Sequence, residues 1–439
     1  MSTLSFIVSA SLRSIYFTAM CTCAAIAHAQ SPALIGYWHN WNDFSAPYVE
    51  LDQVDPRYNV IEVAFAEPAA GTTYDMQFTP SLTAPATFIA QVAAHQAAGH
   101  KVLISIGGAN ATVQLNSDVE RDQFVASMLT IIDAYGFDGI DLDLEGASVS
   151  ITGGTIAAPV DARIVRLIDA VQAISSQFEV ANSHAMMLTM APETAFVQGG
   201  QGAFGGIWGA YLPIIEALLD QLDILHVQLY NSGSMYGIDG NIYAQGTADF
   251  IVSQTEAVIQ GFNTGGGFFN GLQAEQVAVA LPACVSAAGG GYTDTATVRA
   301  AMEYLLGEGP QPGSYTLEQS GGYPALRGMM TWSVNWDAVA ACNGANSYAE
   351  NYERIFGDIT TSVYAAISST FIISPNPAHD ALHFSSLVHG PITIRDLSGR
   401  IVHHIQEQGP QQLVDVHFLS PGNYLLEATG FPTRRFVKD

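Results

Sequence analysis

Eight short apolar runs of β type recur along the first four fifths of the chain: ALIGYW (33–38), YNVIEVAF (58–65), KVLISIGG (101–108), GIDLDLE (139–145), AMMLTMAPE (185–193), LDILHVQLYN (222–231), QVAVALPA (276–283) and LRGMMTWS (326–333). Between them the apolar spacing turns helical. RDQFVASMLTIIDAYG puts Phe124, Met128, Ile131 and Ile132 on one face, and WGAYLPIIEALLDQL and TATVRAAMEYLLGEG behave likewise. Eight strand–helix units over about 325 residues predict an α/β fold, a (β/α)8 barrel of the TIM type.

After YERIFGDI the helical spacing stops. ALHFSS, ITIRDL, RIVHHI, LVDVHF and NYLLEAT read as short strands separated by turn signals such as Ser398-Gly399 and Pro421-Gly422-Asn423. A small all-β sandwich domain is therefore expected over 372–439, behind a linker at 361–371 and a barrel domain at 30–360. At the other end, Arg13, the apolar run over Ser14–Ile26 and the small residues Ala27 and Ala29 form a secretory signal peptide, residues 1–29. No later run is long and apolar enough to span a membrane.

Composition narrows the partners. The formal charge is −26, and removing the signal peptide takes away Arg13 and no acid, giving −27. Such a chain repels phosphate backbones and anionic lipid, so no nucleic acid and no membrane surface is expected as partner. Cys284 and Cys342 remain after processing and enter an oxidising compartment. They follow the seventh and eighth strands, so adjacent loops at one mouth of the barrel would carry them, and a disulfide is expected, two buried thiols being the alternative. Half of the 12 histidines fall in the tail (His379, His383, His389, His403, His404, His417). None has the spacing of a metal site, so strand-surface positions account for them, and no metal or cofactor is expected.

YGFDGIDLDLEG (135–146) carries the chemistry. It loads Asp138, Asp141, Asp143 and Glu145 into a strand of a chain with only 12% charged residues. Side chains alternate along a strand, so Gly139, Asp141, Asp143 and Glu145 share the face toward the barrel interior, while Ile140, Leu142 and Leu144 face the helices. Asp138 has the opposite parity and reads as a structural acid at the strand entry. Carboxylates on one face stand about 7 Å apart and cannot all ionise cheaply out of water, so at least one should hold a proton near neutral pH. Glu145 is the last of the row, at the strand end where barrel enzymes keep their chemistry. A proton there is what a general acid needs. A metal-binding D-x-D is the rival reading, but it would want further hard ligands or a phosphate loop, and neither is present.

FDGIDLDLEG matches the D-x-x-D-x-D-x-E signature of the family-18 glycoside hydrolases, and ISIGGAN resembles that family's S-x-G-G strand. LTMAPE, VQLYNSGSMYG and GMMTWSVNWD resemble the fifth, sixth and eighth strands of its bacterial chitinase D-like branch. The resemblance spans about residues 33–357, in the right order. It implies a chitinase in which Glu145 protonates the glycosidic oxygen. Asp143 would hold the substrate acetamido group, with Asp141 beneath it sharing a proton, and Tyr230 would donate to the acetamide carbonyl. Trp332 would form the floor under the sugar. Gln228 and Asn231 stand where many relatives carry Met and Asp. Tyr37 and Ser105 complete the implied substrate site as supports of the acidic row, plain barrel packing being the alternative. Glu193 is a groove residue, as are Asn335 and Trp336. The implied mechanism is retaining and assisted by the sugar's own 2-acetamido group, and the short 283–327 segment implies an open groove and internal cleavage.

SPNPAHDALHF, ITIRDLSGRIV, LSPGNYLLEATG and the ending RRFVKD resemble the C-terminal sorting domain of type IX secretion. The implied partners are chitin or N-acetylglucosamine oligosaccharides and the secretion machinery, and the expected state is a monomer. The alternatives are an endo-β-N-acetylglucosaminidase acting on N-glycans and a chitin-binding lectin without catalysis. The presence of Glu145 ranks the lectin last.

Overall fold

The computed structural model describes residues 32–357, 373–375, 377–388, 392–396, 400–405, 411–428 and 431–439. The expected signal peptide and linker lie outside the described residues. Eight parallel strands make the barrel: β1 Ala33–His39, β2 Val60–Pro68, β3 Lys101–Gly107, β4 Gly139–Asp143, β5 Met187–Met190, β6 Ile224–Leu225, β7 Ala278–Pro282 and β8 Gly328–Trp332. The ladder runs β7-β8-β1-β2-β3-β4-β5-β6, and isolated bridges Leu225↔Val277 and Gln228↔Ala280 join its two ends.

The sixth run is more broken than its sequence predicts. Only Ile224–Leu225 form regular ladder, and pairing then recurs at Gln228 with Glu193 and Ala280. Pro192 lies in the neighbouring segment and has no N–H to continue the ladder; its carbonyl still accepts from Gln228 N at 2.9 Å. The fourth strand also stops early, at Asp143. Glu145 keeps an extended backbone (φ −102°, ψ 169°) but lies past the ladder.

Helices α1 Pro85–Ala97, α2 Asp118–Tyr135, α3 Ala162–Asn182, α4 Leu212–Leu218, α5 Ala248–Gln260 and α6 Thr295–Leu305 follow β2 to β7, and α7 Val334–Asp337 with α8 Ser347–Phe356 follow β8. The predicted face of α2 is the buried one, with Phe124, Met128, Ile131 and Ile132 against the sheet and Ser117 capping Glu120 N. Eight strand–helix units were expected, but β1 is followed only by the single turn Leu51–Gln53. Pro47 and Pro56 bracket that segment, and the eight residues between them leave room only for the one turn.

Outward residues of the strands, among them Leu34, Ile61, Val63, Ile104, Ile140 and Leu142, join the helices in one large core. A smaller cluster including Ile35, Tyr37, Val60, Leu103, Ala280 and Met330 fills the barrel interior. Cys284 and Cys342 form a disulfide, Cα–Cα 5.1 Å, tying the segments after β7 and β8.

In the tail, Ile373–Ser374, Ala381–Val388 and Gln411–Asp415 form one antiparallel sheet. Ile401–Ile405, Ile392–Asp396, Gly422–Ala428 and Phe431–Lys438, in that order, form another. Leu382, Phe384 and Val414 of the first pack with Ile392, Ile394, Leu426 and Phe436 of the second, which makes the expected sandwich. Among the described residues no helix is long and apolar enough to cross a membrane.

Candidate active site

The strand register builds the site in layers. Ser105, Asp141 and Thr189 are partners across β3, β4 and β5, and Tyr37 pairs with Glu62 across β1 and β2. Asp141 is fully buried and accepts from three hydroxyls: Tyr37 at 2.6 Å and Ser105 at 2.7 Å on Oδ2, Thr189 at 2.8 Å on Oδ1. Tyr37 and Ser105 thus hold the floor of the acidic row, as supports of Asp141. Below the row lie two residues that sequence reasoning missed, Glu62 and His226, 2.9 Å apart. Their parity showed only that they point inward, since Glu62 shares a face with Val60 and Ala64, and His226 with Gln228 and Tyr230.

One layer higher, the Gln228 amide donates to Asp143 (2.9 Å) and to Glu145 (3.1 Å), and Nε2 also lies 3.0 Å from the Ala191 carbonyl. Burial, then the charges of Glu145, Asp141 and Glu62, push the Asp143 carboxyl well above the usual carboxylate range, against the Gln228 hydrogen bond. Glu145 is raised by burial and held back by its hydrogen bonds to Gln228 and Asp143. Both carboxyls of the upper pair are thus pushed toward the protonated form. Burial and the same acids raise the Tyr230 phenol far above its ordinary value, which keeps it a donor.

Asp143, Glu145, Glu193, Gln228, Tyr230, Asn231 and Trp332 converge on one cavity of about 180 Å³, walled also by Trp41, Phe65 and Asn110. A cleft of about 410 Å³ shares Trp41, Phe65 and Asn110 with it and continues past Asn40 and Glu67. Phe65 and Trp332 lie nearly parallel, centroids 6.0 Å apart, and Trp41 stands 6.2 Å from Phe65. A flat apolar wall of this kind suits the axial C–H faces of a pyranose. Trp41 sits in the irregular segment after β1, where strand periodicity gives no signal.

Glu193 stands nearer the acids than its strand pattern suggests. Burial and the charge of Glu145 raise its carboxyl above the usual range. Asn335 and Trp336 are not groove residues. Asn335 is fully buried and uses its amide to accept from His39 N (2.8 Å) and donate to the Pro47 carbonyl (3.1 Å), while Trp336 packs on the large core.

The fold is thus an eight-stranded parallel barrel whose carboxyl row climbs from a buried floor to a half-buried acid beside an aromatic wall. The chain belongs to glycosyl hydrolases family 18, which residues 33–317 match, and residues 373–435 match the secretion system C-terminal sorting domain. It is 49% identical over 310 residues to Chitinase Chi52 of Paenibacillus xylanexedens and 47% identical over 321 residues to Chitinase D of Niallia circulans. Those alignments cover 70% and 72% of this chain but 58% and 60% of the relatives, so the chain spans about three fifths of their length. A solved family GH18 chitinase from Chromobacterium violaceum superposes with a TM-score of 0.65 at 38% identity, covering 74% of this chain and 84% of the other. The sorting domain marks the chain as an extracellular or cell-surface protein.

Proposed function

We propose that this chain is a chitinase that hydrolyses β-1,4 bonds between N-acetylglucosamine units, with retention and with the substrate's 2-acetamido oxygen as nucleophile. The observation that carries the reading is the Asp143–Gln228–Glu145 bridge at the bottom of a cavity walled by Trp332 and Tyr230. Glu145, held partly protonated, gives its proton to the leaving oxygen. Asp143 and the Tyr230 hydroxyl clamp the acetamide so that its oxygen attacks C1 intramolecularly, with the entropic advantage of a tethered nucleophile, and stabilise the oxazolinium ion. Asp141 sits beneath, sharing a proton with Asp143 and so tuning it. Trp332 supports the sugar, and Gln228 and Asn231 complete its polar contacts.

An enzyme nucleophile would have to be a second carboxylate about 5 Å from the acid. Glu193 is the one other carboxylate lining the cavity, and burial and the charge of Glu145 disfavour the ionised form a nucleophile needs. Only about 43 residues separate Ala283 from Arg327, and α6 uses eleven of them, so no further domain walls the groove. This supports internal cleavage of chitin chains. The relatives named as chitinases support the substrate class, and the sorting domain supports an encounter with the secretion machinery. The acting unit is a monomer bounded by the domains expected from the sequence.

Partly deacetylated chitosan tests the nucleophile. Every new reducing end should be N-acetylglucosamine and the first-formed anomer β. Glucosamine at those ends in proportion to the polymer would mean that a carboxylate of the enzyme attacks, with Glu193 first to be replaced.

A further inference from the structure

Two ionisable side chains at the barrel centre have no part in the reaction above. Glu62 on β2 and His226 just past β6 are both fully buried. His226 Nε2 lies 2.9 Å from Glu62 Oε1 and 3.7 Å from Asp141 Oδ1, and Thr189 Oγ1 touches the same two carboxyls at 2.9 and 2.8 Å. Glu62 Oε2 and His226 Nδ1 have no hydrogen-bond partner. Packing alone would be served at lower cost by the branched apolar residues that fill such barrels, because a buried ion pair is expensive and its unpaired atoms more so. The groups that face the pair are Tyr37 from β1, Ser105 from β3, Asp141 and Asp143 from β4 and Thr189 from β5, with Glu145 and Tyr230 further up. Three of these, Asp141, Asp143 and Glu145, and the pair's own Glu62 are carboxyls whose negative charge burial makes costly. Within this group the imidazole is the single side chain able to carry positive charge.

We propose that His226 and Glu62 form a positioning pair, in which an imidazolium held between Glu62 and Asp141 offsets the negative charge of the barrel floor and keeps the row's proton on Asp143 and Glu145. The inference rests on the roles proposed for those two acids. Burial by itself would strip the imidazole of its proton, but Glu62 and Asp141 outweigh it and raise His226 above its ordinary value. The imidazole stands 3.7 Å from the floor carboxyl and farther from the acids higher up, and its influence falls with distance. The proton of the row is thereby left at the rim, where the glycosidic oxygen would meet it.

The test is the pH dependence of kcat/KM on an N-acetylglucosamine tetramer. His226→Asn removes a positive charge, so both limbs should move to higher pH by about one unit, the effect of a unit charge roughly 10 Å away at an effective dielectric of about 20. Glu62→Gln removes a negative charge, so both limbs should move to lower pH. The double variant restores the balance and should return both limbs to near their original positions, whatever its kcat. Limbs that stay put, or that move the same way in both single variants, would overturn the proposal and leave the pair a packing element. Should His226→Asn not fold, Glu62→Gln and nitrogen NMR of histidine-labelled wild type still decide it. One non-titrating histidine protonated on both nitrogens at pH 7 is expected, and a neutral His226 refutes the pair. Glu145→Gln, run beside them, separates the two readings: an active Glu145→Gln enzyme sinks the assignment of the acid, whereas an inactive one with unmoved limbs in the other variants sinks only the pair.

Discussion

His39 ends β1 with its ring stacked on Trp41 (centroids 4.4 Å, 9° between planes) and 4.8 Å from Trp332, and neither ring nitrogen has a hydrogen-bond partner. Burial, opposed by the charge of Asp43, lowers its pKa from 6.5 to about 4. In the unfolded chain the imidazole titrates near its ordinary value, so between these two pH values the unfolded state binds more protons than the folded one. The stability linked to His39 is complete above pH 6.5, drains as the pH falls through the window and levels off below about 4. A gap of about 2.5 units corresponds to about 3 kcal/mol in all, of which about 2 kcal/mol is lost between pH 7.5 and 4.5. His39→Phe keeps a flat ring against Trp41 and removes the titration. Urea melts followed by tryptophan fluorescence report on the barrel alone, because Trp38, Trp41, Trp208, Trp332 and Trp336 are all the tryptophans of the chain. The wild type should lose about 2 kcal/mol more than the variant over that pH interval. Glu62, Asp143 and Glu145 have raised pKa values and act in the opposite sense, but they are common to both proteins and cancel in the comparison. Parallel pH dependences of wild type and His39→Phe would refute the reasoning.

Glu145→Gln keeps the shape of the acid and removes its proton, so turnover of chitin oligosaccharides should fall at least about a hundredfold with calorimetric binding retained. Near-normal turnover would contradict the assignment. Gln228→Leu deletes the amide that favours the charged forms of Asp143 and Glu145, so both limbs of the pH–rate profile should shift to higher pH and kcat should drop; an unmoved profile would count against the bridge. Replacing Cys284 and Cys342 by Ser opens a link between residues 58 apart, and loop-closure entropy sets the expected loss of stability at about 4 kcal/mol, read as a lower urea midpoint. No change in the midpoint would mean that the linked segments are already held by other contacts.

The eight strands were legible because apolar runs of the right length alternate with helical spacing, and parity alone placed Asp141, Asp143 and Glu145 on one inward face. Tyr37 and Ser105 could be matched to that row, though not with their partner atoms. Glu62 and His226 were not found, for a definite reason. Each is a lone ionisable residue in an apolar run, and parity says only that it points inward; which residues share its layer depends on the stagger between strands, a property of barrel closure. Trp41 and Phe65 show a different limit. Their rings join Trp332 through the ends of three strands and the segment that follows β1, where no periodicity operates. The missing helix after β1 was readable in Pro47 and Pro56, and the expectation of eight equal units passed over it.

The acids cannot have fixed their own register. A strand slipped by one residue would turn Asp141 and Asp143 outward, and mutual repulsion of buried carboxyls favours that slip. Two glycines oppose it. A Cβ on Gly139 would collide with the Met187 carbonyl of β5, and one on Gly107, at φ +109°, with the Asp143 carbonyl of β4. A slip of β4 would bring Asp138 or Ile140 to the place of Gly139, where a side chain meets the Met187 backbone, and Gly107 lets β3 lie close against β4 at Asp143, so close backbone approach helps to hold Ser105, Asp141 and Thr189 in one layer. From there exposure rises along a single strand, from the fully buried Asp141 through Asp143 to the half-buried Glu145, which has left the ladder. Chemically similar groups two residues apart thus meet different surroundings. Amide replacements at Asp143 or Glu145 leave both glycine contacts intact, so they change where protons sit without changing the frame that displays them.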